Sequence, residues 1–232
     1  MNDFFIWKGR NCREYGIHVT EQPQLTIPEE RVTFTDVPGR SGSMTQVEGI
    51  DVYNDLTLTT TCFVADTLRV NEIAAWLKGA GTVTFANRQG GFYYARIVNQ
   101  IPFERILRGH NNCSFAVNFR CKPFWYEENP ETITLTAAAN IVTNPGNVHS
   151  RPLMTVHGSG DITLIVGDEI IELNGLESEI TLDSELQEAY FGDTPMNSIM
   201  EGDFPILLPG PNAISWTGDV TSIVIEPRWR YL

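Results

Sequence analysis

The stretch CSFAVNFRCKPFWYEENP, residues 113–130, decides how the first half of the chain folds. Its apolar residues fall on every second position up to Cys121, and this period of two predicts a β-strand with one face in the core. Pro123 lacks the backbone donor that a strand needs, so the strand is predicted to end there. The aromatic residues 124–126 and the polar run after them predict a domain boundary.

Short strands and one amphipathic helix are predicted before this boundary. The helix is predicted to begin at an N-cap, Asp66, and to end at Gly79 or Gly81. Its core face is formed by apolar residues one turn apart: Val70, Ile73, Ala74 and Leu77. A turn at residues 87–91 is predicted to join two strands. The strands are predicted at residues 4–7, 15–19, 56–64, 83–86, 92–98 and 113–121.

Regularly spaced short strands are also predicted after the boundary. Turns at residues 144–147 and 167–168 separate some of them. The predicted strands are residues 132–136, 153–156, 161–166, 169–173, 179–182, 206–208, 213–216 and 220–226. This spacing is typical of a β-sandwich, so the second half is predicted to be all-β.

The composition is that of a globular protein with an acidic surface. The 232 residues are 42% hydrophobic and 19% charged, which suits one large or two small domains. The formal net charge of −13 repels a phosphate backbone, so sequence-specific nucleic-acid binding is not expected. No apolar run has the length of a membrane span, and the N-terminus is unlike a signal peptide. We therefore expect the chain to fold in a cytoplasm and not to insert into a membrane.

Cysteine and histidine are not spaced for metal binding. The four cysteines contain no CxxC pair and are Cys12, Cys62, Cys113 and Cys121. They are interpreted as reduced core residues, with a disulfide as the alternative. The histidines show no HExxH motif and are interpreted as surface or structural residues: His18, His110, His149 and His157. No metal and no cofactor is therefore expected.

A loop with the sequence VPGRSG at residues 37–42 is the first candidate binding element. It follows an alternating segment and predicts a long hairpin or a flexible arm. Glycine, serine and arginine can hold a phosphate, but the lysine and spacing of a Walker motif and the spacing of a GxSxG elbow are missing. The loop is interpreted as a contact loop, and its residues are Val37, Pro38, Gly39, Arg40, Ser41 and Gly42.

Two further groups of residues allow more than one interpretation. Asp183, Glu185 and Glu188 would suit glycosidase chemistry if two carboxylates faced each other across a cleft, but they are interpreted as a solvated turn after a strand. Trp216 and Trp229 would stack sugar rings if they were exposed, whereas strand aromatics more often lie in the core. No catalytic residue is assigned, and the chain is not expected to be an enzyme.

Four places along the chain carry sequence motifs that together resemble one known protein family. They are VPGRSGS at residues 37–43; IAAWLKGAGTVTF at 73–85, continuing to YYARIVNQIPFE at 93–104; FRCKPFWYE at 119–127; and a C-terminal series. That series comprises TNPGNVHSRPLMTVHGSGDITL at 143–164, ITLDSELQEAY at 180–190 and MEGDFPILLPGPNAISWTGDVTSIVIEPRWRYL at 200–232. These motifs resemble those of the distal tail proteins of long-tailed phages with non-contractile tails, a phage tail component family. Their order and their joint coverage of nearly the whole chain make the resemblance specific.

The resemblance implies a fold that agrees with the strand pattern. The fold class it implies is mainly β. Residues 1–126 would form an N-terminal belt domain, a split barrel or β-sandwich with one α-helix that resembles tail-tube proteins and forms a ring. Residues 127–232 would form a C-terminal galectin-like β-sandwich.

The resemblance also implies a structural function at the distal end of the virion tail, with assembly in the host cytoplasm. A homo-hexamer would close into a ring that joins the tail tube to the tail-tip or baseplate hub around the passage for DNA. The implied partners are the tail tube protein, the tail-associated hub or tip protein, the tape-measure protein and receptor-binding or baseplate proteins. The loop at residues 37–42 is suited to reaching a neighbouring copy in such a ring. Acidic residues facing the passage would let DNA slide without sticking.

A lectin-like carbohydrate-binding module for adhesion to a host surface is the alternative function. Galectins hold sugars with a histidine, an asparagine and an arginine around a tryptophan, and that set is not found here at strand spacing. The galectin-like domain is therefore expected to be a docking scaffold. Under the lectin-like alternative, Trp216 and Trp229 are the candidate sugar contacts.

Overall fold

The strand that begins at Cys113 lies within the first of two compact units. The computed structural model describes residues 3–65, 69–105 and 112–232. The first unit comprises Met1–Glu128 together with Leu232, and the second comprises Asn129–Tyr231. The belt and galectin-like roles of the two units remain predictions.

The first unit holds one α-helix, α1 (Val70–Trp76), and eleven strands within the part of the chain that the structure describes. The strands are β1 (Phe5–Trp7), β2 (Arg10–Asn11), β3 (Ile17–Glu21), β4 (Val32–Asp36), β5 (Ser43–Val47), β6 (Leu56–Val64), β7 (Ala80–Phe85), β8 (Arg88–Ile97), β9 (Glu104–Arg105), β10 (Cys113–Cys121) and β11 (Trp125–Glu127). The main sheet has the order β2-β1-β7-β8-β10-β6-β3, with β9 beside β10 and β11 beside β8. β4 and β5 form a sheet of their own.

The core of the first unit is built on the pair of β6 and β10, which are antiparallel over their full lengths. Phe119 is fully buried on β10, and its ring lies 5.4 Å from those of Phe5 and Trp7 and 5.5 Å from that of Phe85. The indole of Trp7 donates to the carbonyl of Trp76 (3.1 Å), and the indole of Trp76 donates to the carbonyl of Trp7 (3.2 Å). These two hydrogen bonds fix α1 against the sheet while satisfying both buried donors.

The helix is confirmed, but its buried face differs from the predicted one. Ile73, Trp76 and Leu77 are buried, whereas Ala74 is exposed. The large indole of Trp76 covers the core where the pattern placed the small side chain of Ala74. The predicted N-cap, Asp66, lies outside the described residues.

The hairpin of β7 and β8 has a tighter connection than predicted. Its turn is formed by Ala86 and Asn87, and the ladder resumes at Arg88, so the predicted turn at residues 87–91 is wrong. Gly91 lies within β8, opposite Glu127 of the neighbouring strand β11. A Cβ at Gly91 would come 2.1 Å from the carbonyl oxygen of Tyr126, which leaves room for glycine alone.

The second unit holds ten strands and no α-helix among its residues, all of which the structure describes. The strands are β12 (Ile133–Leu135), β13 (Ala139–Asn144), β14 (Leu153–Val166), β15 (Glu169–Leu176), β16 (Glu179–Asp183), β17 (Glu188–Phe191), β18 (Thr194–Pro195), β19 (Met200–Glu201), β20 (Gly210–Glu226) and β21 (Arg230–Tyr231). One path through them has the order β12-β20-β14-β16-β17-β18. β13 also pairs with β20, β15 with β14, and β19 with β15.

Two long strands replace four of the predicted short ones. β14 and β20 each continue through glycines that the sequence pattern treats as breaks, with register shifts after His157 and Ser159. A Cβ at Gly158 would come 2.3 Å from the carbonyl oxygen of Asp219, and one at Gly218 would come 2.5 Å from that of Asp161. These glycines therefore allow close backbone approach at a bulge instead of ending the strands.

Two other strand predictions fail in the second unit. β13 was not predicted because its alanine and asparagine residues have low strand propensity, yet it pairs along β20 from Ala139 to Asn144. Residues 206–208 form no strand; Leu207 makes only an isolated bridge to Ser150.

Candidate functional site

The segment of residues 29–54, here called the arm, contains the predicted contact loop. β4 and β5 pair in register, with Val32 opposite Val47 and Phe34 opposite Thr45. The base of the arm is closed by two backbone hydrogen bonds, from the amide of Arg31 to the carbonyl of Val52 (2.9 Å) and from Asn54 to Glu29 (2.8 Å). The sequence prediction of a long hairpin is therefore confirmed.

The predicted contact residues form the tip of the arm. Val37 is half-buried, and Pro38, Gly39, Arg40, Ser41 and Gly42 are exposed. The amide of Arg40 donates to the carbonyl of Val37 (3.1 Å). Gly39 and Gly42 have φ angles of +79° and +81°, which other residues adopt only with strain, so the two glycines turn the chain at the tip.

Large apolar side chains are exposed along the arm. Phe34 is 65% exposed, Met44 52% and Val47 49%. Phe34 and Val47 lie on the same face of the hairpin, because both are on the side defined by the Val32–Val47 pair. An exposed apolar face on a two-stranded sheet is typical of a surface that another chain covers.

A second exposed surface, here called the basic face, lies on the main sheet of the first unit. It surrounds a depression of about 470 Å³ whose lining includes Tyr94, Arg96, Val98, Arg120 and Lys122. The basic face was not predicted from the sequence, because its residues come together only through the register of β8 and β10. The sequence did contain one indication of this face. Arg96 and Arg120 alternate with the apolar residues of two predicted strands, so both are predicted to point away from the core.

The predicted turn after the strand is present at residues 184–187, and Glu185 and Glu188 are exposed, but Asp183 is buried, so the prediction that Asp183 is solvated is wrong. Asp183 is 3% exposed, and Arg228 donates to its two carboxylate oxygens at 2.8 and 2.9 Å. Burial opposes ionisation of Asp183, but the hydrogen bonds from Arg228 and from the amides of Leu186 and Glu185 outweigh it, so the pKa of Asp183 is lowered. Asp183 is thus held by an ion pair and not poised beside a second carboxylate.

The two candidate sugar-stacking residues lie in the core of the second unit. Trp216 is 7% exposed and Trp229 is 6% exposed. A buried indole offers no free ring face to a sugar, so the exposure on which the lectin-like alternative depended is not observed. A separate depression of about 520 Å³ in this unit is polar, with a lining that includes His157, Ser159 and Asp219.

The cysteines and histidines have structural surroundings. All four cysteines are free and buried, as predicted. Burial, and secondarily the charge of Asp55, raises the pKa of Cys121 to about 12. His149 is buried and contacts Arg230, and His157 lies 3.0 Å from a carboxylate oxygen of Glu179. His110 lies outside the described residues.

The described residues offer neither a metal-binding cluster nor a membrane-spanning helix. They contain no group of three or more histidine, cysteine, aspartate or glutamate side chains placed to hold a metal ion. None of the helices among them has the length and hydropathy that crossing a bilayer requires.

Comparison with known proteins gives a match in structure. No protein-family model and no curated protein matches the sequence. The chain is similar to the Dit protein of phage SPP1, a paradigm of the hub adsorption apparatus in phages that infect Gram-positive bacteria, with a TM-score of 0.80 and 14% identity over 100% of both chains. It is also similar to a chain of the phage p2 baseplate in its activated conformation, with a TM-score of 0.49 and 7% identity over 96% of this chain and 97% of that one. The first match confirms the predicted mainly β fold over the full length.

Proposed function

We propose that this chain is a distal tail protein of a long-tailed phage or prophage, a structural component of the hub at the end of the tail. The observation that carries the proposal is the likeness to the SPP1 Dit protein, which extends over the whole of both chains. A fold alone does not determine a function. The four motif regions that resemble the same family supply the second, separate support.

The finer part of the proposal is a ring. Six copies close into a hexamer that joins the tail tube to the tail-tip or baseplate hub and surrounds the passage for DNA. A cyclic assembly needs two different surfaces on each copy, one that reaches out and one that receives. The exposed apolar side chains of the arm, led by Phe34, suit the surface that reaches out.

The partners follow from that position. The tail tube protein lies on one side of the ring, and the hub or tip protein and the tape-measure protein lie along the axis. Receptor-binding or baseplate proteins dock on the outside. The net charge of −13 suits a passage in which DNA slides, if the acidic residues face the lumen.

The proposal is tested by the mass and shape of the purified full chain. Light scattering over a range of concentrations should give an assembly of six chains of 26.0 kDa, and negative-stain images should show rings with a central hole. Adding the tail tube protein from the same phage should promote ring formation. A chain that stays monomeric under both conditions contradicts the proposal.

A variant of the arm supplies the matched control. Phe34→Ser combined with Met44→Ser removes two exposed apolar side chains, so it should abolish assembly while leaving the circular dichroism and the melting temperature of the single chain unchanged. Rings formed equally well by this variant would show that the arm has no part in assembly.

A further inference from the structure

We infer that the arm of one copy docks on the basic face of a second copy, with arm carboxylates against Arg96, Arg120 and Lys122. The inference rests on the proposed function, because it names the surface that receives the arm in the ring. It assigns a binding role to five side chains of β8, β10 and the residues that follow them: Tyr94, Arg96, Val98, Arg120 and Lys122.

The first step is an unfavourable pairing on the basic face. Arg120 lies directly opposite Arg96 in the antiparallel ladder of β10 and β8. Like charges opposite each other destabilise a sheet. Asp55 pairs with Arg120 at 2.8 Å, but within the described part of the chain no carboxylate pairs with Arg96 or Lys122. The repulsion between these cations is reduced when a further anionic group lies between them.

The second step is the apolar floor between the cations. Tyr94 is 43% exposed and Val98 is 53% exposed. The ring of Tyr94 contacts those of Phe92 (5.3 Å) and Tyr126 (5.0 Å), and the ammonium group of Lys122 lies 5.6 Å from its centre. A rigidly held, half-exposed tyrosine beside basic residues is typical of the centre of a protein interface.

The third step is the complementarity of the arm. Residues 29–54 contain five acidic and two basic residues, and the exposed apolar side chains of Phe34 and Val47 lie on one face of the hairpin. An acidic surface with apolar side chains matches a basic surface with an apolar floor. A hairpin with about eight residues on each side reaches roughly 25 Å from its base, which is enough to cross to a neighbouring chain.

A nucleic acid is the less favoured occupant of the basic face. The chain carries a net charge of −13, and Asp55 lies within the face beside Arg120. Both features repel a phosphate backbone. A partner that brings carboxylates together with apolar side chains uses the whole face, whereas a phosphate backbone uses only its charges.

Photo-cross-linking in the full chain tests the inference directly. Benzoylphenylalanine is placed at Thr45, which is exposed and lies opposite Phe34 in the arm, and unlabelled and ¹⁵N-labelled chains are mixed so that links between copies are recognised by mass. Links between copies should fall in residues 93–98 or 120–122. Rings whose links fall elsewhere overturn this inference but leave the proposed function standing. A chain that forms neither rings nor links overturns both.

A charge-reversal variant of the face gives a second test. Arg96→Glu with Lys122→Glu should weaken self-association at least about tenfold. The matched control, Arg10→Glu with Arg69→Glu, makes the same change in net charge at exposed ion pairs beside Tyr15, and it should assemble as the unmodified chain does. Equal assembly by the face variant and its control overturns the inference.

Mixing the two defective variants identifies the contact as one interface. The Arg96→Glu, Lys122→Glu chain keeps its arm, and the Phe34→Ser, Met44→Ser chain keeps its face. An equal mixture should give a dimer of one copy of each, because a single intact interface can form between them. A mixture that stays monomeric overturns the inference. Binding of a short duplex DNA by the unmodified chain that is lost in the face variant also overturns it, since the face would then belong to a nucleic acid.

Discussion

The strand β10 and the arm strand β4 have similar alternating sequences, but they have different surroundings. Every second residue of β10 is buried, from Cys113 to Cys121. In β4 and β5 the residues are exposed, apart from the half-buried Val32. Alternation therefore sets the local backbone conformation in both regions, while only the surroundings decide whether the apolar face stabilises the chain itself.

The difference has an energetic meaning. The side chains of β10 contribute to the folding of a single copy, because they leave water when the first unit folds. A two-stranded hairpin without a core is at best marginally stable. The apolar side chains of the arm can contribute their burial energy only when another chain covers them.

The largest expected effect is on the core strand. Phe119→Ala removes a fully buried ring that contacts three other aromatic residues, and it should lower the free energy of unfolding by about 3–5 kcal/mol. Phe34→Ala, the same change in the arm, should alter it by less than about 0.5 kcal/mol. Urea unfolding of dilute chains measures both. Equal losses would abolish the distinction between the two regions.

The next effect compares a buried aspartate that is held in an ion pair with an exposed aspartate. Asp183→Asn removes the negative charge and one of the two oxygens that accept hydrogen bonds from Arg228, and it should lower the free energy of unfolding by about 2 kcal/mol. Asp168→Asn, at an exposed turn of the same unit, is the control and should have little effect. A loss no larger than that of the control would mean that the pair does not stabilise the second unit.

The contribution of Asp183 should depend on pH in a defined direction. Its pKa is lowered in the folded state, so its stabilisation is complete above the ordinary pKa of aspartate, about 3.9, and is lost as the pH falls toward the lower folded value. The difference in unfolding free energy between the unmodified chain and Asp183→Asn should therefore be constant near neutral pH and shrink in acid. A difference that grows as the pH falls would contradict the assignment.

A smaller effect is expected at the tip of the arm. Gly42→Ala places a side chain at a φ of +81°, which costs about 1 kcal/mol even though nothing obstructs the added Cβ. Gly42→Asn is the control, because asparagine tolerates this conformation better. NMR shifts of the arm amides should change for alanine and stay close to the original for asparagine. No change in either variant would mean that the tip is not held in this turn.

The smallest effect is expected at the exposed pair of Arg31 and Glu48 in the arm. Its atoms lie 3.6 Å apart and both side chains are about half exposed. Glu48→Gln should therefore change the free energy of unfolding by less than about 0.5 kcal/mol. A change near that of Asp183→Asn, measured by the same urea titration, would show that the arm contributes to the stability of a single chain.

The period of the apolar residues was enough to predict the elements whose structure is decided by side chains close together in the sequence. β6 was predicted with its observed bounds, and the buried face of β10 was predicted residue by residue. The arm hairpin was predicted from its alternation and its glycines. In each of these, the side chains that decide the structure lie within a few residues of one another.

The errors arose where distant strands decide the outcome. Gly158 and Gly218 resemble strand breaks in sequence, but they are required by the close passage of β14 and β20. Asp183 has the local sequence of a turn residue, but it forms an ion pair with Arg228, which is 45 positions away in the sequence. The basic face was missed for the same reason, because cross-strand register places Arg96 opposite Arg120.

Hydrogen exchange below and above the concentration of assembly tests most directly the claim that another copy covers the arm. The amides of β10 should be protected in both samples. The amides of β4 and β5 should exchange rapidly in the dilute chain and become protected, together with residues 94–98, on assembly. Arm amides that are equally protected in the dilute chain, or equally exposed in the assembly, would contradict the account.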